Sequence, residues 1–244
     1  DYNSIAEMAS HGIAPLKEAS VRALKAGTDM DMVSCGFLNT LEESLKEGKI
    51  MEDQINTACR RVLEAKYKLG LFSNPYKYGD TLRVKEQLYT AEHRSAARAI
   101  ASETFVLLKN ENHLLPLGLK GKIALVGPMA DARNNMCGMW SMACTASRHG
   151  TLLEGIRSAA GDKAEILYAK GSNVYEDAEM EKAAAGIRPL EHEDNRKLLD
   201  EALRVASRAD VIVAALGECA EMSGESASRT NLEIPDAQQN LLKA

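Results

Sequence analysis

The sequence predicts an α/β protein whose second half contains a mostly parallel sheet. Residues 102–244 alternate short apolar runs with amphipathic helical runs, and this alternation is typical of parallel strands joined by helices. Residues 210–216 form a nearly continuous apolar run, as expected for a strand that is covered on both faces. Residues 1–70 instead predict helices around one short alternating segment, residues 28–33, which suits a barrel strand.

Helices in the first part follow the usual signals for helix starts and ends. Pro15 stands in a first helical turn, where its missing N–H is harmless, and Gly27 ends that helix. Three further helices are predicted in this part of the chain, over about residues 38–46, 52–69 and 91–102. Gly70 ends the second of them and Thr90 caps the third.

Residues 71–101 are predicted to be a linker between two domains, residues 1–70 and residues 102–244. The linker begins with a stretch that is poor in aliphatic residues and contains the turn-forming pair Asn74-Pro75. Its tyrosines favour a segment that lies on a surface rather than a flexible Gly/Ser tether.

The second domain is predicted to contain four strands and three helices. The strands are residues 104–109, 122–126, 164–168 and 210–216. The helices cover about residues 151–159, residues 194–207 and a last segment that Pro235 opens. Because that last helix leads into no strand, we expect the sheet to be incomplete.

Composition argues against several classes of function. The 244 residues carry a formal net charge of −5, and no Lys/Arg cluster is longer than Arg60-Arg61. This charge pattern disfavours nucleic acid or an anionic membrane as the main partner. No apolar run approaches the roughly 18–20 residues that a membrane-spanning helix needs.

The cysteines and histidines show no pattern of a metal site or of a disulfide framework. The five cysteines are scattered without a C-x-x-C pair, so we expect small buried hydrophobic side chains rather than disulfides or zinc ligands. No pair of histidines has the spacing of metal ligands. The spacing of these residues therefore predicts no metal site.

Three glutamates and one tryptophan are candidates for chemistry or binding. Glu218, Glu221 and Glu225 follow the strand predicted over residues 210–216. Ligands of open α/β sheets bind beyond the carboxyl ends of the strands, so these glutamates are candidates for acid/base catalysis. The alternative is a solvated acidic loop. Trp140 either stacks on a sugar face or serves as a buried anchor.

Several long segments, in the same order along the chain, resemble glycoside hydrolase family 3, in particular its periplasmic β-glucosidase branch. The resemblance covers essentially all of the chain. Its most specific part is Val106-Leu107-Leu108-Lys109-Asn110 followed by Leu114-Leu115-Pro116-Leu117. The other segments are residues 26–32 (AGTDMDM), 61–72 (RVLEAKYKLGLF), 126–131 (VGPMAD) and 231–235 (NLEIP).

The resemblance implies a fold and an activity. Residues 1–70 would be the C-terminal end of a (β/α)8 TIM-type barrel, and residues 102–244 an α/β sandwich domain that is truncated at its C-terminus. The implied activity is retaining hydrolysis that removes β-linked glucose from the non-reducing ends of β-glucosides or oligosaccharides, without a metal or cofactor. A β-xylosidase or another exo-acting β-glycosidase, and a non-catalytic carbohydrate-binding remnant, are the alternatives.

The resemblance also assigns roles to residues. Asp1 matches the family's nucleophile, Tyr2 the aromatic residue that contacts the sugar, and Glu225 the acid/base, with Glu218 and Glu221 as alternatives for the last role. The upstream barrel portion of the same protein would be a necessary partner, so we expect this segment alone to be inactive. The family also implies a periplasmic or secreted protein.

Overall fold

The computed structural model describes residues 1–185, 190–225 and 227–244. The chain forms two compact units, Asp1–Val106 and Leu107–Ala244. Residues 71–101 belong to the first unit by this division, and their assignment as a linker stays a prediction.

The first unit is helical. Its helices are α1 (Ser4–Ser10), α2 (Leu16–Ala26), α3 (Gly36–Lys46), α4 (Glu52–Lys68), α5 (Leu82–Gln87) and α6 (Ala91–Glu103). Helix α2 follows Pro15 and ends at Gly27, whose φ of 97° gives the left-handed C-cap that glycine adopts easily. One face of α2 carries Val21 and Leu24 into a core with Leu41 of α3. The helices predicted for this part of the chain are therefore confirmed.

The strand predicted over residues 28–33 is wrong. This segment instead contributes one isolated parallel bridge, between Met32 and Tyr2. Val33 has a φ of 75° and Cys35 a φ of 55°, so the chain leaves the extended conformation immediately after Met32. The alternating sequence does produce a strand-like contact, but it does not extend into a ladder.

The second unit contains a parallel sheet covered by helices. The strands are β1 (Gly121–Val126), β2 (Ala164–Ala169) and β3 (Val211–Ala214). The helices are α7 (Leu152–Ala160), α8 (Ala178–Ala185), α9 (Asn195–Ala206) and α10 (Asp236–Lys243). The strand order is β2-β1-β3, and β1 pairs in parallel with both neighbours. Three of the four predicted strands are thus confirmed, with β3 shorter than expected.

Strand β1 is central and is buried on both faces. Leu125 packs with Leu153 of α7, whereas the next residue, Val126, packs with Ala202 of α9 and Leu241 of α10. Successive side chains of a strand point to opposite faces, so helices cover both sides of β1. This double cover explains why its last four residues are all apolar and all buried.

Two expectations for the strands are wrong in detail. Residues 104–109 lack regular secondary structure, and Phe105 and Leu108 are 81% and 92% exposed. Strand β3 was expected to be covered on both faces, but Ile212 is 55% exposed. Within the described sheet β3 is an edge strand that pairs with β1 alone, so its outer face is not covered as that of β1 is.

None of the helices in the described parts of the chain has the length and apolar character that crossing a bilayer requires.

Candidate active site

Asp1 and Tyr2 lie on a short exposed segment at the start of the first unit. The Asp1 carboxylate accepts a hydrogen bond from the Tyr2 backbone N–H at 2.7 Å. Asn3 donates its N–H to the Met32 carbonyl at 2.8 Å, directly beside the Tyr2–Met32 bridge. Tyr2 is 62% exposed. The backbone of this segment is therefore held by the chain around Met32, while its two candidate side chains, Asp1 and Tyr2, are exposed.

Helix α1 begins immediately after this segment and is attached to the same neighbour. The Ala6 backbone N–H, in the first turn of α1, donates to Ser34 Oγ at 3.1 Å. Orphan N–H groups in a first turn need such an acceptor. Ser34 thus supports the helix that follows Asp1 and Tyr2.

The three candidate glutamates lie on one loop after β3, which we call the acidic loop (residues 217–225). Both backbone groups of its first residue, Gly217, form hydrogen bonds with the side chain of Gln238 in α10. The Gln238 side chain accepts from the Gly217 N–H and donates to the Gly217 carbonyl, each at 2.8 Å. Gln238 is fully buried and Gly217 is half-buried, so this double hydrogen bond is partly shielded from water. The start of the acidic loop is therefore fixed to the core of the second unit.

Glu218 forms an ion pair with Arg229. Arg229 also donates to the backbone carbonyl of Glu233. The guanidinium group therefore joins the beginning of the acidic loop to the chain that follows it. This contact gives the Glu218 carboxylate a structural role, and sequence reasoning missed Arg229 although it follows closely after Glu225 in the sequence.

Glu221 is half-buried in a short 3-10 turn, Ala220–Met222, near the middle of the acidic loop. The Ala220 N–H donates to Asn135 Oδ1 at 3.0 Å.

Cys219, the residue before Ala220, is buried. Burial, together with the nearby Glu181 carboxylate, raises the pKa of the Cys219 thiol to about 11. Cys219 is thus one of the small buried side chains that the sequence predicts, whereas Cys35 and Cys59 are exposed and the prediction is wrong for them.

Glu225 is exposed at the end of the acidic loop. It follows Gly224, whose φ of 130° is a conformation that few residues other than glycine adopt. The structure thus brings Glu218, Glu221 and Glu225 together on one loop of the second unit, and Asp1 with Tyr2 on one segment of the first. Their assignment to catalysis stays a prediction.

Trp140 lies on an exposed loop that a disulfide closes, between Cys137 and Cys144. We call residues 137–144 the tryptophan loop. The expectation that the cysteines form no disulfide is wrong for this pair, because pairing depends on a Cα–Cα separation, here 6.3 Å, that spacing in the sequence does not reveal. Trp140 is 69% exposed, so it is not a buried anchor.

Cys137, Cys144 and His149 offer three potential metal-ligand atoms within 4.8 Å of one another. His149 Nε2 lies 3.5 Å from Cys144 Sγ. Metals bind the thiolate form of cysteine, and here both sulfur atoms are joined in the disulfide. The arrangement therefore acts as a cross-link with an adjacent imidazole rather than as a set of metal ligands.

Comparison with protein families matches both parts of the chain. The model of the glycosyl hydrolase family 3 N terminal domain matches residues 1–65, and the model of the family 3 C-terminal domain matches residues 105–244.

Two curated relatives illustrate the likeness in sequence. The chain is 40% identical to a periplasmic beta-glucosidase of Salmonella typhimurium over 254 residues, which cover 100% of this chain and 33% of that protein. It is 29% identical to a beta-xylosidase of Formosa agariphila over 259 residues, again 100% of this chain and 33% of that protein. The chain thus spans about a third of the length of these relatives.

Solved structures show the same likeness in three dimensions. The beta-glucosidase of Listeria innocua in complex with glucose matches with a TM-score of 0.78 at 32% identity, covering 100% of this chain and 30% of that one. A beta-glucosidase involved in saponin metabolism from intestinal bacteria matches with a TM-score of 0.80 at 29% identity, covering 100% and 34%. The predicted fold class, the end of a barrel followed by an α/β domain, is confirmed.

Proposed function

Because this chain belongs to glycosyl hydrolase family 3, we propose that the protein containing it is a retaining glycoside hydrolase. Its proposed substrates are β-glucosides and oligosaccharides, from which it removes β-linked glucose at the non-reducing end. The observation that carries this proposal is the 40% identity to a periplasmic beta-glucosidase across the entire chain. The proposal applies to the complete protein, including an upstream barrel portion.

Retaining hydrolysis needs two carboxyl groups in different protonation states. In the proposed mechanism, the ionised Asp1 attacks the anomeric carbon while the protonated Glu225 donates its proton to the leaving oxygen. The resulting glycosyl-enzyme intermediate is hydrolysed by a water molecule from which Glu225 removes a proton. Retention requires the two carboxyl groups to be about 5–5.5 Å apart, so the proposal requires Asp1 and Glu225 to reach that separation when substrate is bound.

The proposal that Glu225 is the acid/base is supported by the contacts and the burial of the other two candidates, Glu218 and Glu221. Glu218 is engaged by Arg229, and Glu221 is half-buried in the 3-10 turn. Glu225 is exposed, and it follows Gly224, whose positive φ turns the chain at this point. A group that must meet both a sugar and a water molecule needs such access. We propose that Tyr2, exposed beside Asp1, contacts the sugar ring.

We also propose that the protein is periplasmic or secreted. One relative is named as a periplasmic enzyme. The Cys137–Cys144 disulfide supports the same compartment, because disulfides persist in oxidising environments.

The test uses the full-length protein and a panel of nitrophenyl β-glycosides. We expect the glucoside to give the highest kcat/KM. Asp1→Ala should abolish turnover of every substrate, and Glu225→Ala should lower kcat/KM for glucosides with poor leaving groups by about 10²- to 10⁴-fold. Glu218→Gln on the same loop keeps the shape of the side chain but weakens the ion pair with Arg229, so its loss should be no more than about tenfold and smaller than that of Glu225→Ala.

Each other outcome of this test contradicts a defined part of the proposal. Highest activity on the xyloside would assign the chain to the β-xylosidases instead, consistent with the Formosa agariphila relative. Sugar binding without any turnover by the wild-type protein would indicate a binding module. A larger loss in Glu218→Gln than in Glu225→Ala would move the acid/base role to Glu218.

A further inference from the structure

The tryptophan loop touches the acidic loop directly beside Glu225. Gly224 has no side chain, and a Cβ placed on it would lie 2.6 Å from Met139 Sδ and 3.3 Å from Met139 Cβ. Contacts that close do not occur between real side chains and a Cβ, so Met139 occupies the space that a side chain at residue 224 would need. Met139 therefore lies directly against the backbone to which Glu225 is attached.

A second contact joins the same two parts of the chain. Asn135, two residues before Cys137, accepts the Ala220 N–H of the acidic loop at 3.0 Å. The acidic loop is thus supported at residues 220 and 224 by the chain that leads into, and forms, the tryptophan loop. The two supports are separated by the Cys137 half of the disulfide.

The tryptophan loop has little packing of its own to hold it in place. Trp140 is 69% exposed and Met142 is 80% exposed. The cysteines at its ends are less accessible, with Cys137 buried and Cys144 half-buried. Inside the loop, Ser141 donates its N–H to the Gly138 carbonyl and Cys144 its N–H to the Ser141 carbonyl, and the two ends of the loop are covalently joined. Arg133 fixes the outer flank by donating to the His149 carbonyl, and His149 Nε2 lies beside the disulfide.

From this chain of contacts we infer that the Cys137–Cys144 disulfide is a positioning device for Glu225. The disulfide holds the tryptophan loop, the loop holds Met139 against Gly224, and this contact sets the backbone of Glu225. Cys137, Cys144 and Met139 are positioning residues, since none of them is assigned a contact with substrate. The inference rests on the proposed role of Glu225 as the acid/base.

The inference makes a prediction that a purely structural disulfide does not make. If the disulfide positions the proton donor, its loss should impair glycosides whose leaving group needs a proton and spare those whose leaving group does not. Phenyl β-glucoside has a poor leaving group, whereas dinitrophenyl β-glucoside releases a stable phenolate without acid assistance. The kcat/KM values for both substrates report the same first step, so their ratio isolates proton donation.

The experiment compares full-length wild-type protein with Cys137→Ser/Cys144→Ser. We expect kcat/KM for phenyl β-glucoside to fall by about 10- to 100-fold, as for a misplaced catalytic group, while dinitrophenyl β-glucoside stays within about threefold because it needs no general acid. Met139→Ala, which keeps the disulfide, should show the same selective loss to a smaller extent. Cys59→Ser is the matched control, since Cys59 is a free cysteine in the first unit, and it should leave both values unchanged.

Two results would overturn the inference. Equal losses on both substrates would mean that the disulfide serves folding alone, and unchanged values on both would mean that Glu225 does not depend on it. Glu225→Ala, measured in parallel, separates this failure from failure of the proposed function. If Glu225→Ala lacks the selective loss on phenyl β-glucoside, the acid/base assignment itself is wrong; if it shows that loss and the disulfide variant does not, only the present inference fails.

Discussion

The two regions proposed for catalysis are held in very different ways. Asp1 and Tyr2 lie on an exposed segment whose backbone is held at Met32 by one bridge and one hydrogen bond. The acidic loop is held at its start by Gln238 and Arg229, in its middle by Asn135, and near its end by Met139.

The positions of the acidic loop and of the Asp1 segment are therefore determined by different kinds of contact. The path of the acidic loop is specified within the second unit, by side chains from α10, from the residues after the loop and from the tryptophan loop. The Asp1 segment obtains its position from strand-like pairing with neighbouring chain, which is how a barrel positions the ends of its strands. Substitutions within the second unit should therefore disturb Glu225, the proposed proton donor, without altering the contacts that hold Asp1, the proposed nucleophile.

The largest expected effect on stability is at the buried base of the acidic loop. Gln238→Ala leaves the partly buried Gly217 N–H and carbonyl without their side-chain partner and removes a fully buried amide. We expect the free energy of unfolding to fall by about 2–4 kcal/mol, measured by urea denaturation. Lys243→Ala, at an exposed position on the same helix, is the control and should change it by less than about 0.5 kcal/mol. An equal effect in both variants would show that the buried pairing is not what holds the loop.

The next largest effect is expected from replacing Arg229, and it is a loss of catalytic activity rather than of stability. Arg229→Ala removes the ion pair with Glu218 and the hydrogen bond to the Glu233 carbonyl. Because this loosens the path of the acidic loop, kcat/KM of the full-length protein for phenyl β-glucoside should fall about tenfold. Arg208→Ala, at an exposed arginine of the same unit, should leave kcat/KM unchanged. Full activity in Arg229→Ala would mean that Gln238, Asn135 and Met139 suffice to hold the loop.

A smaller effect on stability is expected near Asp1, the proposed nucleophile. Ser34→Ala removes the acceptor of the Ala6 N–H in the first turn of α1. The site is only partly buried, so water can replace the hydroxyl and the loss should be about 0.5–1.5 kcal/mol in urea denaturation. Ser10→Ala, which removes an exposed and longer hydrogen bond in the same helix, should cost less. A larger loss for Ser10→Ala would contradict the role given to Ser34.

The last prediction concerns the reactivity of the Cys219 thiol, next to Glu218, which should be very low. With its pKa raised to about 11, only about one Cys219 thiol in a thousand is ionised at pH 8, and the thiolate is the reactive form. Iodoacetamide followed by peptide mass spectrometry should therefore label exposed Cys35 and Cys59 well before Cys219. Labelling of Cys219 at the same rate would show that the acidic loop opens readily.

Local signals in the sequence predict much of this fold but stop where partners distant in the chain decide the outcome. The caps at Pro15 and Gly27 define α2 correctly, and apolar runs locate β1, β2 and β3, although the cover on both faces that was expected for residues 210–216 is found at β1 instead. Residues 104–109 carry an equally apolar pattern, yet they form no strand because a strand needs a partner to pair with. The sequence shows which residues favour extension, but not which of them find that partner.

The same limit applies to the candidate site. The three glutamates could be located from their place after an apolar strand, and Asp1 from the family resemblance. The disulfide, the Arg229 ion pair and the contact of Met139 with Gly224 join positions whose approach is set by the folded chain. Spacing alone does not encode those approaches, so the supports of the acidic loop had to be observed.

The most direct test of the account is to trap the covalent intermediate. The full-length protein is incubated with dinitrophenyl 2-deoxy-2-fluoro-β-glucoside, whose fluorine slows breakdown of the glycosyl-enzyme, and is then digested and analysed by mass spectrometry. The account predicts one fluoroglucosyl group per protein, attached to the carboxylate of Asp1. Attachment to any other residue, or turnover that continues in Asp1→Ala, would contradict it.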